Sequence, residues 1–534
     1  MNEQPIKKQS FLHGAAILAL ATAIVKLLGA LYKIPLGNIL DDNGFGYFNT
    51  AYDIYSVLLT ISTAGLPVAM SRMISSAQAL GNNAQIKQVY KASLYVFLTI
   101  GIIGSGGMLM FCKQLAVFMN SPNSWASIAA LAPAVFFVCV ISSYRGFFQG
   151  QSNMTPTSVS QVFEAICKLF IGLGVAWLVM DRTGSVIYAA GGAILGVTVG
   201  TVVSAAYLGL KHRKTSAVLS HSTGEAKPLR ATMKELLWIA VPITVGAAGL
   251  QLINLVDAKI VMGRLMGAAG FVQAEADVLK GIYNFCQTLF NLPAAFIVPI
   301  TVSVIPSITG FLTMKKPKDA LKVEESAVRI MSLLALPCGV GLAVLAGPIL
   351  TLLRGYGPDR LAIATPLLIV FGIAVVFNSF VLLSNAIMQA HGNVTTPLIN
   401  MLLGGIVKVI VNYILVGNPN INIAGAPIGT LCCYITITTL NLIAIRRMMK
   451  ENTPRTIRAM AKPLVAALVM GGAAWAAAGL LSRVVSSNAV ICLGAIALAG
   501  VVYAIMVVAL KIITMDDCML LPKGEKIAKI LKIR

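Results

Sequence analysis

At 534 residues, 57% of them hydrophobic and only 11% charged, the chain departs from soluble proteins, in which charged residues make up roughly a quarter. Its net charge of +22 does not point to nucleic acid, because the Lys and Arg clusters sit in short loops beside apolar segments, where anionic lipid is the natural partner. Nine Cys with no CxxC pair and four scattered His exclude a disulfide framework and a metal centre, and no nucleophile–base set suggests an enzyme.

About 20 apolar residues cross hydrocarbon as a helix, because every backbone group must be satisfied internally there. About fourteen segments meet that requirement. The first, 11–34, is too long for a signal peptide and reads as a retained span. It carries Lys26 and Lys33, seven apart and so on one helix face. The second, 48–74, has Asp53 near its start and Arg72 near its end. Segments 90–111 and 125–147 follow, and then the polar cluster "YRGFFQGQSNMTPTSVSQ" leads into the fifth, 157–180. There Glu164 and Lys168 stand four apart, which predicts an intrahelical ion pair. After 186–210 comes a basic linker with "KHRK". The seventh span, 236–262, places Gln251, Asn254 and Asp257 on one face, a polar stripe expected to line a cavity; Lys259 marks its outer end. The eighth, 282–308, contains "CQTLFNLP" and shows no basic residue. The remainder are 327–352, 362–389, 394–416 with Lys408 deep inside, 423–445, 460–482 and 488–512. The end, "KGEKIAKILKIR", reads as an amphipathic tail on the membrane surface.

The chain repeats itself. An offset of 240 places Gln149, Asn153, Thr155 and Lys168 on Gln389, Asn393, Thr395 and Lys408; an offset of 233 places "GAILG" on "GAPIG"; an offset of 226 places "KIPLG" on "KIVMG". This predicts an all-α polytopic membrane protein with two parallel six-helix lobes, 1–210 and 236–446, joined by the linker 211–235, with spans thirteen and fourteen and the tail in 447–534. Lys and Arg favour the faces that would make both termini cytoplasmic. The Gln, Asn and Thr of the repeated cluster are expected to cap the helix ends that meet there. Lys408 has Gly404 where Lys168 has Glu164, which makes it the stronger functional candidate.

Candidate substrate-binding residues are therefore Lys26, Lys33, Arg72, Asn254, Asp257 and Lys408; candidate coupling-ion residues are Asp53, Glu164 and Asp257. Cations outnumber carboxylates, so the expected substrate is anionic, a phosphate-bearing one above all. No Walker motif is present and no cofactor is expected; transport is expected to draw on the membrane potential or on a H+ or Na+ gradient.

The stretches "KLLGALYKIPLGNIL", "STAGLPVAMSRMISS", "YRGFFQGQSNMTPTSVSQVFE" and "LPAAFIVPITVSVIPSITG" resemble the oligosaccharidyl-lipid and polysaccharide exporter superfamily, MATE-like proteins, in the branch of stage V sporulation protein B and the MurJ-type lipid II flippases. The resemblance implies a V-shaped alternating-access bundle in the cell membrane. Such a bundle carries an undecaprenyl-diphosphate-linked sugar, lipid II for peptidoglycan or spore cortex, from the inner to the outer leaflet, with cell-wall synthases as candidate partners. MurJ-like proteins line the cavity with basic residues of the first, second and eighth spans. Here Lys26 and Lys33 keep the first of these. The rival readings are export of another lipid-linked polysaccharide unit, multidrug/cation antiport, which would need essential carboxylates, and a non-transporting scaffold acting through the basic loops.

Overall fold

The computed structural model describes residues 11–218, 224–449 and 456–513. The expected C-terminal amphipathic tail lies outside them. The described residues are helical with no strand, and twelve helices are long and apolar enough to cross a membrane, so the chain is a multi-pass membrane protein. It forms two compact units, Met1–Gly281 and Ile282–Arg534.

The first unit holds α1 (Phe11–Thr63), α2 (Leu66–Ala79), α3 (Asn83–Met110), α4 (Cys112–Phe118), α5 (Trp125–Gly150), α6 (Thr155–Thr183), α7 (Val186–Val218), α8 (Leu229–Gly267) and the start of α9 (Gln273–Asn291). The expected first and second spans are not separated by a loop. They run together through α1, which breaks at Asp41, where φ is 54°. α8 packs on α1, α2 and α3. α6 and α7 pack along most of their length, and glycines bring the backbones together: a Cβ at Gly196 would fall on Gly172, and one at Gly200 would stand 2.9 Å from the Glu164 carbonyl. Tyr32 ties α1 to this pair, its hydroxyl donating to the Ala193 carbonyl at 2.9 Å. Tyr32→Phe removes that bond alone and should cost about 1 kcal/mol, seen as a lower melting temperature in detergent. An unchanged melting temperature would show that the buried carbonyl finds another donor.

The second unit holds the rest of α9, α10 (Ala294–Thr313), α11 (Pro317–Val344), α12 (Ala346–Arg354), α13 (Pro358–Ala390), α14 (Thr395–Val416), α15 (Gly425–Met449), α16 (Thr456–Val484) and α17 (Asn488–Ala509). α13 packs on α11 and α15, and α15 on α14. The last pair, α16 and α17, attaches through α11, where the Tyr503 hydroxyl reaches the Leu333 carbonyl at 2.9 Å.

Expected span eight needs correction: α9 starts at Gln273, not 282, and so it carries Lys280, a basic residue that the sequence boundary excluded.

The internal repeat recurs in the backbone. After α5, Asn153 N–H donates to Phe148 and Ser152 N–H to Gln149; after α13, Asn393 donates to Met388 and Gly392 to Gln389. Both are Schellman turns with a left-handed residue, Ser152 at φ 58° and Gly392 at φ 83°. The ends of α2 and α10 match in the same way, with Gly81 (φ 65°) and Lys315 (φ 58°) in the left-handed place. Ser75 Oγ donates to the Gly150 carbonyl at 2.7 Å, and Thr309 Oγ1 to the Ala390 carbonyl at 3.1 Å. In the second copy Asn393 Oδ1 accepts from Thr396 N–H at 3.1 Å, while the residues directly before α6 and α14, Met154 and Val394, offer no side-chain cap. The backbone turn, rather than the polar side chains, is the shared device.

Candidate functional site

In the first unit α1, α5, α6 and α7 enclose a cavity of about 480 Å³. α1 contributes Lys26, Tyr52 and Tyr55, α5 contributes Arg145, and α6 contributes Gln161, Glu164 and Lys168. Three cations thus face one carboxylate across a space within the range of small-molecule sites, about 300–1,000 Å³. Tyr52 Oη and Gln161 Oε1 are buried at its wall and meet no hydrogen-bond partner among the described residues. A bound group carrying both a donor, for Gln161 Oε1, and an acceptor, for the Tyr52 hydroxyl, would satisfy both.

The expected Glu164–Lys168 pair does not form. Glu164 instead meets Arg145, with Nη2 3.3 Å from Oε2, while Arg145 Nε donates to Ser160 Oγ at 3.1 Å. The guanidinium fork suits two acceptors one turn apart on the neighbouring helix. Lys168 is left to lie over two aromatic rings, 5.0 Å from the centre of Tyr32 and 4.7 Å from that of Tyr52. This arrangement steadies a cation without neutralising it.

A second polar group adjoins the cavity at the break in α1. Lys33 Nζ donates to Asn49 Oδ1 at 3.2 Å, and the buried Lys280 donates to Thr50 Oγ1 at 2.9 Å. The charge of Asp53 acts on both lysines, and that of Lys33 on Lys168. On the same side Asp277, 2% exposed, accepts from the Tyr47 hydroxyl at 3.3 Å and from Gln273 Nε2 at 3.1 Å. Lys26, Lys33, Asp53, Glu164 and Lys168 are therefore brought together, and Arg145 and Lys280 join them.

Other expected site residues lie elsewhere. Arg72 is exposed on a groove beside Arg230 and Lys234, not in the cavity. On α8, Asn254 is exposed and donates to Gln251 Oε1 at 2.9 Å, while Asp257 is buried. Lys259 sits 3.5 Å over the Phe118 ring. In the second unit Lys408 is half-buried on α14, and its carbonyl lies 3.2 Å from where a Cβ on Gly429 would stand, as the Lys168 carbonyl does for Gly196. Asn400, about two turns earlier on the same helix, donates to Asn441 at 2.8 Å. His391, in the second copy of the repeated turn, meets the fully buried Glu324 with Nε2 2.8 Å from Oε1, a pair that nothing in the sequence signalled.

The family model described as polysaccharide biosynthesis protein matches residues 11–312, and the MatE model matches 258–414. In Bacillus subtilis (strain 168) the chain is 29% identical to the uncharacterized membrane protein YabM, covering 99% of this chain and 98% of that one. It is 25% identical to stage V sporulation protein B (96% and 98% covered) and 25% identical to lipid II flippase MurJ (86% and 87% covered). The fold matches that of lipid II flippase MurJ in an inward closed conformation with a TM-score of 0.67 at 14% identity, covering 92% of this chain and 97% of that one. A MATE family transporter of the MOP superfamily in its inward-facing conformation matches with a TM-score of 0.63, over 82% and 99%. With more than half of its length under one family model, the chain belongs to the polysaccharide biosynthesis protein family.

Proposed function

We propose that the protein moves an undecaprenyl-diphosphate-linked sugar, with lipid II as the first candidate, from the inner to the outer leaflet by alternating access, its termini on the cytoplasmic side. The observation that carries this reading is the cavity in which Lys26, Arg145 and Lys168 outnumber Glu164. A diphosphate sugar cannot cross hydrocarbon alone, and ammonium, guanidinium and amide donors replace the water it loses. The relatives named as a lipid II flippase and a sporulation protein support the same substrate class. Export of another lipid-linked saccharide unit uses the same chemistry. A cationic drug would need the opposite balance of charge at the cavity wall. Lys408, the repeat counterpart of Lys168, is the proposed contact in the second unit.

The test is a reconstituted one: in proteoliposomes holding a headgroup-labelled lipid II, an impermeant quencher should reach label from both leaflets when the protein is present. Quenching confined to the outer leaflet would count against the reading. We further propose that the membrane potential or a H+ or Na+ gradient drives the step, with Asp53, Glu164 or Asp257 as the titrating or ion-binding group. An imposed potential should then raise the rate, and equal rates with and without it would remove potential as the driver.

A further inference from the structure

The groove that carries Arg72 runs between α2 and the first four turns of α8 and has a volume of about 1170 Å³. Arg230 and Lys234 occupy the first two turns of α8, and all three cations are exposed. Among the described residues none of them meets a carboxylate; the nearby Glu235 is held by Lys227 at 2.7 Å. The helix starts at Pro228 without a side-chain cap, so the open N–H groups of its first turn add to the positive potential. Below the charges the same helix face continues as Leu237, Trp238 and Val241, with Trp238 80% exposed and Val241 50% exposed. A cationic head, an aromatic ring and an aliphatic strip in that order follow the depth profile of one membrane leaflet. The described lining holds no Asn, Gln, Ser, Thr, Asp or Glu. It can therefore grip a phosphate and a hydrocarbon chain, but apart from the Trp238 indole N–H its side chains offer a saccharide no neutral hydrogen-bonding partner.

We propose that this groove binds one anionic phospholipid, its phosphate held by Arg72, Arg230 and Lys234 and an acyl chain lying along Leu237, Trp238 and Val241. The site is separate from the cavity of Lys26 and Lys168 and serves a lipid that is not transported.

Trp238 provides the readout. In the full chain with Trp125, Trp177 and Trp475 replaced by Phe, the remaining tryptophan is reconstituted with phosphatidylglycerol or phosphatidylcholine carrying brominated chains at equal mole fraction. Brominated phosphatidylglycerol should quench the more strongly, by about fivefold in local enrichment for each cation that contributes. The combination Arg72→Gln, Arg230→Gln and Lys234→Gln should make the two lipids equivalent, while Arg72→Lys, Arg230→Lys and Lys234→Arg should keep the preference. Equal quenching of the unsubstituted groove, or a preference that survives the triple Gln change, would overturn the proposal. Displacement of brominated phosphatidylglycerol by an equimolar polyprenyl diphosphate would overturn it too, because the groove would then belong to the transported lipid.

Discussion

Replacing both Lys26 and Lys168 by Gln should slow translocation of a diphosphate-linked headgroup roughly a hundredfold, since hydrogen bonds to charged groups are worth about 1.5–3 kcal/mol each and 1.4 kcal/mol is tenfold. Lys168→Gln alone should give about tenfold. The protein should stay folded, because neither ammonium has a carboxylate within ion-pair distance among the described residues, and the half-buried Lys168 gives up water to sit over Tyr32 and Tyr52. Loss of transport without loss of melting temperature therefore separates a substrate contact from a structural one. Lys168→Arg, which keeps a cation over the same rings, should retain most of the rate. Lys113→Gln, at the Trp125 ring outside the cavity, serves as the neutral control. The labelled-lipid assay in proteoliposomes reads all four proteins, and a double variant working at the full rate would sink the cavity as the substrate site.

Much of this site was legible because a charge in a long apolar stretch stands out. Lys26, Lys168 and Lys408 were found that way, and the correspondence of Lys168 with Lys408 recurs in the glycine, Gly196 or Gly429, that approaches each carbonyl. What the sequence misplaced depends on neighbours that are distant along the chain. The i,i+4 rule sees one helix, so it paired Glu164 with Lys168; the actual partner, Arg145, comes from α5. Lys280 was lost because Gln273, Glu275 and Asp277 lower the hydropathy just ahead of it. α9 nevertheless begins there, since its polar side is satisfied against the break in α1 by Tyr47 and Thr50. The departure from the basic pattern expected of the eighth span was thus a departure in its assigned start. Arg72 shows the converse: whether it faces a cavity or a groove is decided by how α2 meets α8, which one segment of sequence does not show.

The break in α1 is also where the largest loss of stability is expected. A Cβ at Gly281 would land on the backbone carbonyl of Asp42, and one at Gly46 would stand 3.2 Å from the Asp277 carbonyl, so α1 and the start of α9 touch backbone to backbone. The obstacle cannot rotate away as a side chain would, and Asp41 already holds φ at 54°, a conformation a non-glycine residue adopts at a cost. Overpacking a core costs about 1–3 kcal/mol where side chains can give way, and Gly281→Leu should exceed that because the backbone must move instead. The shift would also pull Lys280 from Thr50 and Tyr47 from Asp277. The variant should therefore elute as aggregate on size-exclusion chromatography or melt well below the parent, and any folded fraction should lack translocation. Gly267→Ala, at the end of α8 with nothing within 4 Å of the added carbon, should behave as the parent does. If Gly281→Leu melted with the parent, the close approach of α9 to the α1 break would not be holding this part of the fold, and Lys280 would owe its position to Thr50 and to the charges of Asp53 and Asp277.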